Sequence, residues 1–196
     1  MDDRLTPLIE IYVNLEIRVQ ELMRTRCAEH CRKCPTVCCR IDYCQESLES
    51  PFLARVRLQA GQNPQWHPER GWLGNRGCTL RAGRPPVCYA FCCNTILAAQ
   101  PTAFDRYAVD LLAMLMTFAG RRARGDRHLV ELGNLSALNI RRITHQLQTA
   151  DRVLDQLLRY WSAGDAPSME WCRKIRPFRQ DRMLTCGRRP ALPGAS

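Results

Sequence analysis

Cysteine is crowded into two short runs of this chain, and that crowding limits how the rest can fold. The first run is Cys27-x3-Cys31-x2-Cys34-x3-Cys38-Cys39-x4-Cys44 and the second is Cys78-x9-Cys88-x3-Cys92-Cys93; of the 12 cysteines only Cys172 and Cys186 lie elsewhere. A small secreted scaffold would use such a set as disulfides in place of a missing core. Here 196 residues at 45% hydrophobic content are enough for a real core, so a single domain over 1–196 is expected. The opening Met1-Asp2-Asp3-Arg4 leads with acids, and Glu10, Glu16 and Arg18 break the early apolar runs, unlike an export signal. The expected location is therefore the cytoplasm, where thiols stay reduced and clustered cysteines serve metals or catalysis. A disulfide-stabilised protein is the alternative.

Several soft donors on one loop reach a common point at small entropic cost, and a distant second group can close the site. Cys31-x2-Cys34 has the short spacing of zinc knuckles and cluster loops, and Cys88 and Cys92, if helical, form an i, i+4 pair on one face. The donors are enough for one iron–sulfur cubane, one tetrahedral zinc ion, or two centres side by side. Spacing does not choose among these.

Around the cysteines the periodicity is helical. Thr6-Pro7 reads as a helix start, and Leu8, Tyr12, Leu15, Val19 and Leu22 then recur at four- and three-residue intervals up to about Arg26. A loop is expected from Cys27 to Cys44, where Pro35 forbids an unbroken helix. Ser50-Pro51 repeats the cap-and-proline device ahead of a short helix through Phe52, Val56 and Leu58, stopped by Gly61. Glycine and proline then give an irregular loop from 61 to 77, in which Trp66 and Trp72 either pack under the loop or shield the cysteines from water. A helical hairpin is expected over 101–164. Its first helix carries Phe104, Tyr107, Ala108, Leu111, Leu112, Leu115, Phe118 and Ala119, and its second runs over about 136–162 with Leu138, Ile143, Leu147, Ala150, Leu154, Leu157, Leu158 and Trp161 inward. Strand signals are nearly absent. The expected class is all-α, a small helical domain with irregular cysteine-rich metal-binding loops over 27–93 and a basic C-terminal tail over 165–196.

The net charge of +10 raises nucleic acid or an anionic surface as a partner, but all except Lys33 and Lys174 of the 29 basic residues are arginine, a bias that codon usage alone produces. No nucleic-acid reading module is present and few aromatics interleave with the charges, so nucleic acid is not an expected partner. The arginines of the tail could meet an acidic protein. No apolar stretch reaches the length of a membrane span. Carboxylates are dispersed, with no serine, histidine or paired-acid arrangement for hydrolysis, so enzyme status stays open.

Taken together, Cys31-Arg32-Lys33-Cys34-Pro35-Thr36-Val37-Cys38-Cys39, then Gly77-Cys78, then Arg84-Pro85-Pro86-Val87-Cys88-Tyr89-Ala90-Phe91-Cys92 resemble the YkgJ-type cysteine-cluster family, described as a zinc- or iron-chelating domain. The likeness covers residues 27 to 93. It implies metal ligation by Cys31, Cys34, Cys38, Cys39, Cys78, Cys88 and Cys92, with Cys38 and Cys39 competing for one ligand position and Cys27 and Cys93 in reserve. The implied cofactor is an iron–sulfur cluster, 4Fe–4S ahead of other types, or zinc. Arg84 is a candidate cofactor-binding residue whose guanidinium would offset thiolate charge. His30 adjoins Cys31, whereas His67, His128 and His145 show no ligand spacing. Three functions stay open: a structural site supporting a protein partner, a redox or catalytic cluster, and metal storage or delivery.

Overall fold

The structure, a computed structural model, describes residues 3–33, 40–74, 77–90, 92–136, 138–163 and 171. Over those residues the class is all-α: α1 (Thr6–Lys33), α2 (Ile41–Glu49), α3 (Pro51–Gln59), α4 (Val87–Ala90), α5 (Asn94–Ala98), α6 (Ala103–Phe118) and α7 (Ile140–Ala163). The one sheet among them is a small antiparallel hairpin of β1 (Leu73–Gly74) and β2 (Gly77–Cys78). No helix of the described residues is long and apolar enough to cross a membrane.

Helix α1 is the central strut. Its stripe of Leu8, Tyr12, Leu15 and Val19 is buried in one cluster with Phe52, Leu53 and Val56 of α3, Leu111, Leu112 and Leu115 of α6, and Leu147, Leu154 and Leu157 of α7. Removing a leucine or phenylalanine side chain from water contributes about 1.5–3 kcal/mol, so this shared face dominates the stability. Tyr12 meets Phe52 edge-on, with centroids 4.9 Å apart. Arg18 of α1 pairs with Asp151 and Asp155, which tethers the solvent side of α7.

Local signals fix the helix starts. Ser50 accepts a hydrogen bond from the Leu53 amide at 3.3 Å, with Pro51 opening α3 as its sequence predicts. Thr102 and Asp105 form a reciprocal capping box at α6, the Asp105 amide donating to Thr102 at 3.0 Å. Asn139 accepts from the Arg142 amide at 3.0 Å, so α7 begins at Ile140, later than the expected 136.

Two expectations fail around the cysteines. Helix α1 does not stop near Arg26 but continues to Lys33, carrying Cys27 and Cys31. The physical reason is that cysteine packs as a small apolar residue: Met23 and Cys27 prolong the stripe of Val19 at four-residue steps, and Cys27 is buried. Likewise Cys44 belongs to α2, not to a loop, with its side chain buried. The 61–77 segment is irregular as expected, closed by a bridge between His67 and Gly71 and then by the β1–β2 hairpin.

Candidate metal centre

The described cysteines gather in two places. In the first, the Cys27 and Cys92 thiols hydrogen-bond to one another, and Cys31 and Cys93 lie within electrostatic reach of Cys27. Cys27 and Cys92 are packed with Ile96 of α5 and with Val109 and Ala113 of α6. The hydrogen bond that the Cys27 thiol donates to Cys92, then burial and the neighbouring thiols, all push the Cys27 thiol far up. Crowded thiols resist ionisation because each thiolate would repel the next, and a bound cation reverses that balance. The nearby cation of α1 is engaged elsewhere: the Arg26 guanidinium lies 4.1 Å from the Trp161 ring centroid and 3.5 Å from Asp105.

In the second place, Cys44 of α2 and Cys78 of β2 share a small cluster with Trp72 and Leu80, flanked by Trp66 and Leu73. The two indoles meet edge-on at 5.0 Å, so packing under the loop and shielding of the cysteines are the same arrangement. Backbone comes unusually close here. Gly71 has φ +58°, and a Cβ on it would lie 2.5 Å from Cys44 Cβ and 2.9 Å from Cys44 Sγ. The indole Nε1 of Trp72 is buried and has no hydrogen-bond partner. Burial raises the Cys78 thiol, with Arg84 opposing and Cys44 adding to the rise.

Arg84 stands beside this second group. Its guanidinium donates to the Leu80 carbonyl at 2.7 and 3.1 Å and to the Cys78 carbonyl at 3.4 Å, closing the turn that follows β2. Burial pulls its pKa down, but Tyr89, Cys78, Glu16 and Cys88 together hold it above the ordinary value. A permanent positive charge thus lies within electrostatic reach of both Cys78 and Cys88, where a guanidinium can offset thiolate charge.

A residue missed by the sequence reading organises this turn. Glu16 of α1 is fully buried and accepts hydrogen bonds from the Gly83 amide, the Arg84 amide and the Tyr89 hydroxyl, each at 2.8 Å. Ser47 of α2 donates to the Gly83 carbonyl at 2.6 Å, and buried Arg57 of α3 donates to Ser47 Oγ and to its carbonyl at 2.8 and 2.7 Å. The segment bearing Cys78 and Cys88 is therefore hydrogen-bonded to α1 and α2, with Arg57 of α3 bracing Ser47. The signal was present in the sequence: Glu16 falls four residues after Tyr12 and three before Val19, on the buried stripe.

Of the sequence-predicted ligands, Cys31 is exposed beside Cys27, Cys92 is in contact with Cys27, Cys78 is half-buried with Cys44, and Cys88 is exposed on α4 near Arg84. Cys34, Cys38 and Cys39 lie outside the described residues, as do Cys172, Cys186 and the basic tail apart from Trp171. The expected helical Cys88–Cys92 pair does not form, because α4 ends at Ala90. Cys93 instead precedes α5 at its N-cap. Among the described residues no three histidine, cysteine or acidic side chains already stand together as a metal site. Cys27, Cys44, Cys78 and Cys93 are thiols, not half-disulfides. The described thiols are soft donors of the kind that zinc and iron–sulfur clusters take, drawn from distant segments but not assembled into a ligand set among the described residues. No protein-family model, no curated protein and no solved structure matches the chain.

Proposed function

We propose that this chain is a cysteine-ligated metal-binding protein that holds an iron–sulfur cluster or zinc in its thiols. The observation that carries the reading is the contact between the Cys27 and Cys92 thiols, which come from the two separate cysteine runs, with Cys31 and Cys93 around them. A buried pair of thiols gains little in stability from being paired with each other, since each is a weak donor and a weak acceptor. Thiols drawn from both cysteine runs would gain far more from closing on a cation of soft character.

In this account α1 presents Cys27 and Cys31 one helical turn apart, while the chain after α4 brings Cys92 and Cys93. The apolar wall of Ile96, Val109 and Ala113 excludes water from one side. An iron–sulfur cluster would supply one-electron chemistry there, and zinc would supply a cross-link between the cysteine segments and the helical core. The test is the metal content of Cys27→Ser and Cys92→Ser after anaerobic purification, with folding checked by circular dichroism. Loss of bound metal in both folded variants is expected. Full retention in either would remove the pair from the site and overturn the assignment.

A further inference from the structure

We infer that the end of the molecule formed by the 121–127 turn and the first turn of α7 binds the phosphodiester backbone of a nucleic-acid duplex, through Arg122, Arg124, Arg127, Arg141 and Arg142 and without reading its bases. No cysteine belongs to this surface, which is independent of the metal-binding reading. It reverses the sequence-based expectation about nucleic acid, which rested on the absence of a reading module; contact with the backbone alone requires none.

Packing brings the two segments together at one end of the α6–α7 hairpin. Ala123, Leu129 and Val130 are buried in the same core as Ile143 and Leu147 of α7, and the Gln146 side-chain amide donates to the Arg121 carbonyl at 3.3 Å. Arg142 lies one turn before Gln146. The turn closes on itself: the Ala123 amide donates to the Arg127 carbonyl at 2.9 Å and the Arg127 amide to the Arg124 carbonyl at 3.2 Å. All five arginines are exposed. The acids beside them in sequence are Asp126 and Glu131, and Glu131 accepts from the His128 amide at 2.8 Å. Among the described residues no carboxylate forms an ion pair with any of the five.

Local stability does not account for these arginines. Arg122 has φ +53°, a left-handed conformation that glycine adopts freely and a side-chain-bearing residue only against steric resistance. Arg141 and Arg142 occupy the first turn of α7, where the helix dipole opposes cations, and no acid is present there. Three residues that break local rules in one place mark a surface kept for function. Chemistry then selects the partner. The exposed large hydrophobics among the described residues are Ile41, Leu48 and Leu58 on α2 and α3, with none in the turn or at the start of α7. The surface therefore lacks the apolar centre of a protein interface and the apolar face by which a peripheral helix enters a membrane. No phenylalanine, tyrosine or tryptophan stands in 121–127 or 140–146 for an unpaired base to stack on, which favours a duplex over a single strand. Guanidinium forks match phosphate oxygens without either addition.

The test is fluorescence anisotropy of a labelled, mixed-sequence DNA duplex titrated with the full-length protein over a salt series. The logarithm of the wild-type affinity should fall against the logarithm of salt with a slope of about −4.5, as about five phosphate contacts require. A turn variant, Arg122→Gly with Arg124→Gln and Arg127→Gln, should bind at least about tenfold more weakly and lose about 3 from the slope. A helix variant, Arg141→Gln with Arg142→Gln, should lose about 2. Both should melt no lower than wild type, because Arg122→Gly relieves a left-handed residue and the helix variant removes cations from the opposing end of a dipole. Wild-type affinity and slope retained in either variant would overturn the inference by assigning the binding to other charges, such as those of residues 165–196. It is equally overturned if wild type binds no duplex at low salt, binds the single strand more tightly than the duplex, or binds phosphatidylserine vesicles instead.

Discussion

The carboxylate of Glu16 accepts a 2.8 Å hydrogen bond from the hydroxyl of Tyr89, the residue that follows Cys88, so the central helix directly holds the second cysteine run. Glu16→Ala would leave that hydroxyl and the amides of Gly83 and Arg84 without their buried acceptor. Unpaired buried donors of this kind cost about 1–3 kcal/mol each, so a loss of about 2–4 kcal/mol is expected after partial relaxation. Tyr89→Phe removes a single donor and should cost about 1 kcal/mol. Urea denaturation of the three proteins measures the order. Equal stability of Glu16→Ala and wild type would show that the network contributes nothing.

The same carboxylate gives a pH signature. Burial raises the Glu16 pKa above 4.5 despite the hydrogen bonds that oppose the rise. A raised folded value means that the native state holds a proton the unfolded chain has released. The stability this contributes is complete below the unfolded value and is lost as pH rises through the folded one. Half-buried Glu46 is raised in the same direction, by burial and then by Glu131. Glu16→Gln should therefore gain stability relative to wild type as pH rises from the ordinary carboxylate range, about 4, toward neutrality. Parallel stability profiles across that interval would contradict the assignment.

Asp105 behaves oppositely. Hydrogen bonds from Thr102 and from the Trp161 indole, the latter at 2.7 Å, hold its pKa below 3.8, with Arg26 adding to them. Asp105→Ala removes one arm of a capping box and the partner of an indole N–H, for an expected loss of about 2 kcal/mol at neutral pH. Its stabilisation is present above 3.8 and fades as pH falls through the lowered folded value. The gap between wild type and variant should accordingly narrow in acid, as thermal melts across the acid range will measure.

Gly83 tests the turn itself. It has φ +84°, and a Cβ there would lie 2.5 Å from Arg57 Cγ and 3.0 Å from the Leu53 carbonyl oxygen. The arginine stem can yield, but the helix backbone cannot easily do so. Gly83→Ala should lose about 2 kcal/mol or more through left-handed strain and contact together. A melting temperature equal to wild type would mean that this turn is free to move.

Much of the helical scaffold was legible before any coordinates. The stripe from Leu8 to Val19 and the inward residues of α6 and α7 follow 3.6-residue periodicity, and these residues are found in the core. Ser50-Pro51 announces its helix through a local hydrogen bond, which acts within a few residues and so leaves a mark in sequence. The cysteine region was read less well for a definite reason. A cysteine can be an apolar stripe residue or a ligand, and Cys27 continues the stripe of Val19 and Met23 while also meeting Cys92. Treating the run as a loop hid both facts. The division between Cys27 with Cys92 and Cys44 with Cys78 depends on where α2 and the 61–77 segment fold back. That is a tertiary matter which spacing does not encode.

The central claim, that the gathered thiols hold a metal, is tested most directly by one measurement on anaerobically purified full-length protein: iron, sulfide and zinc analysis read together with the ultraviolet–visible spectrum. The account predicts metal bound in stoichiometric amount, as iron with sulfide and a broad absorbance near about 400 nm for a cluster, or as zinc in a colourless protein. Protein that carries neither metal and whose Cys27 and Cys92 are joined in a disulfide would contradict it.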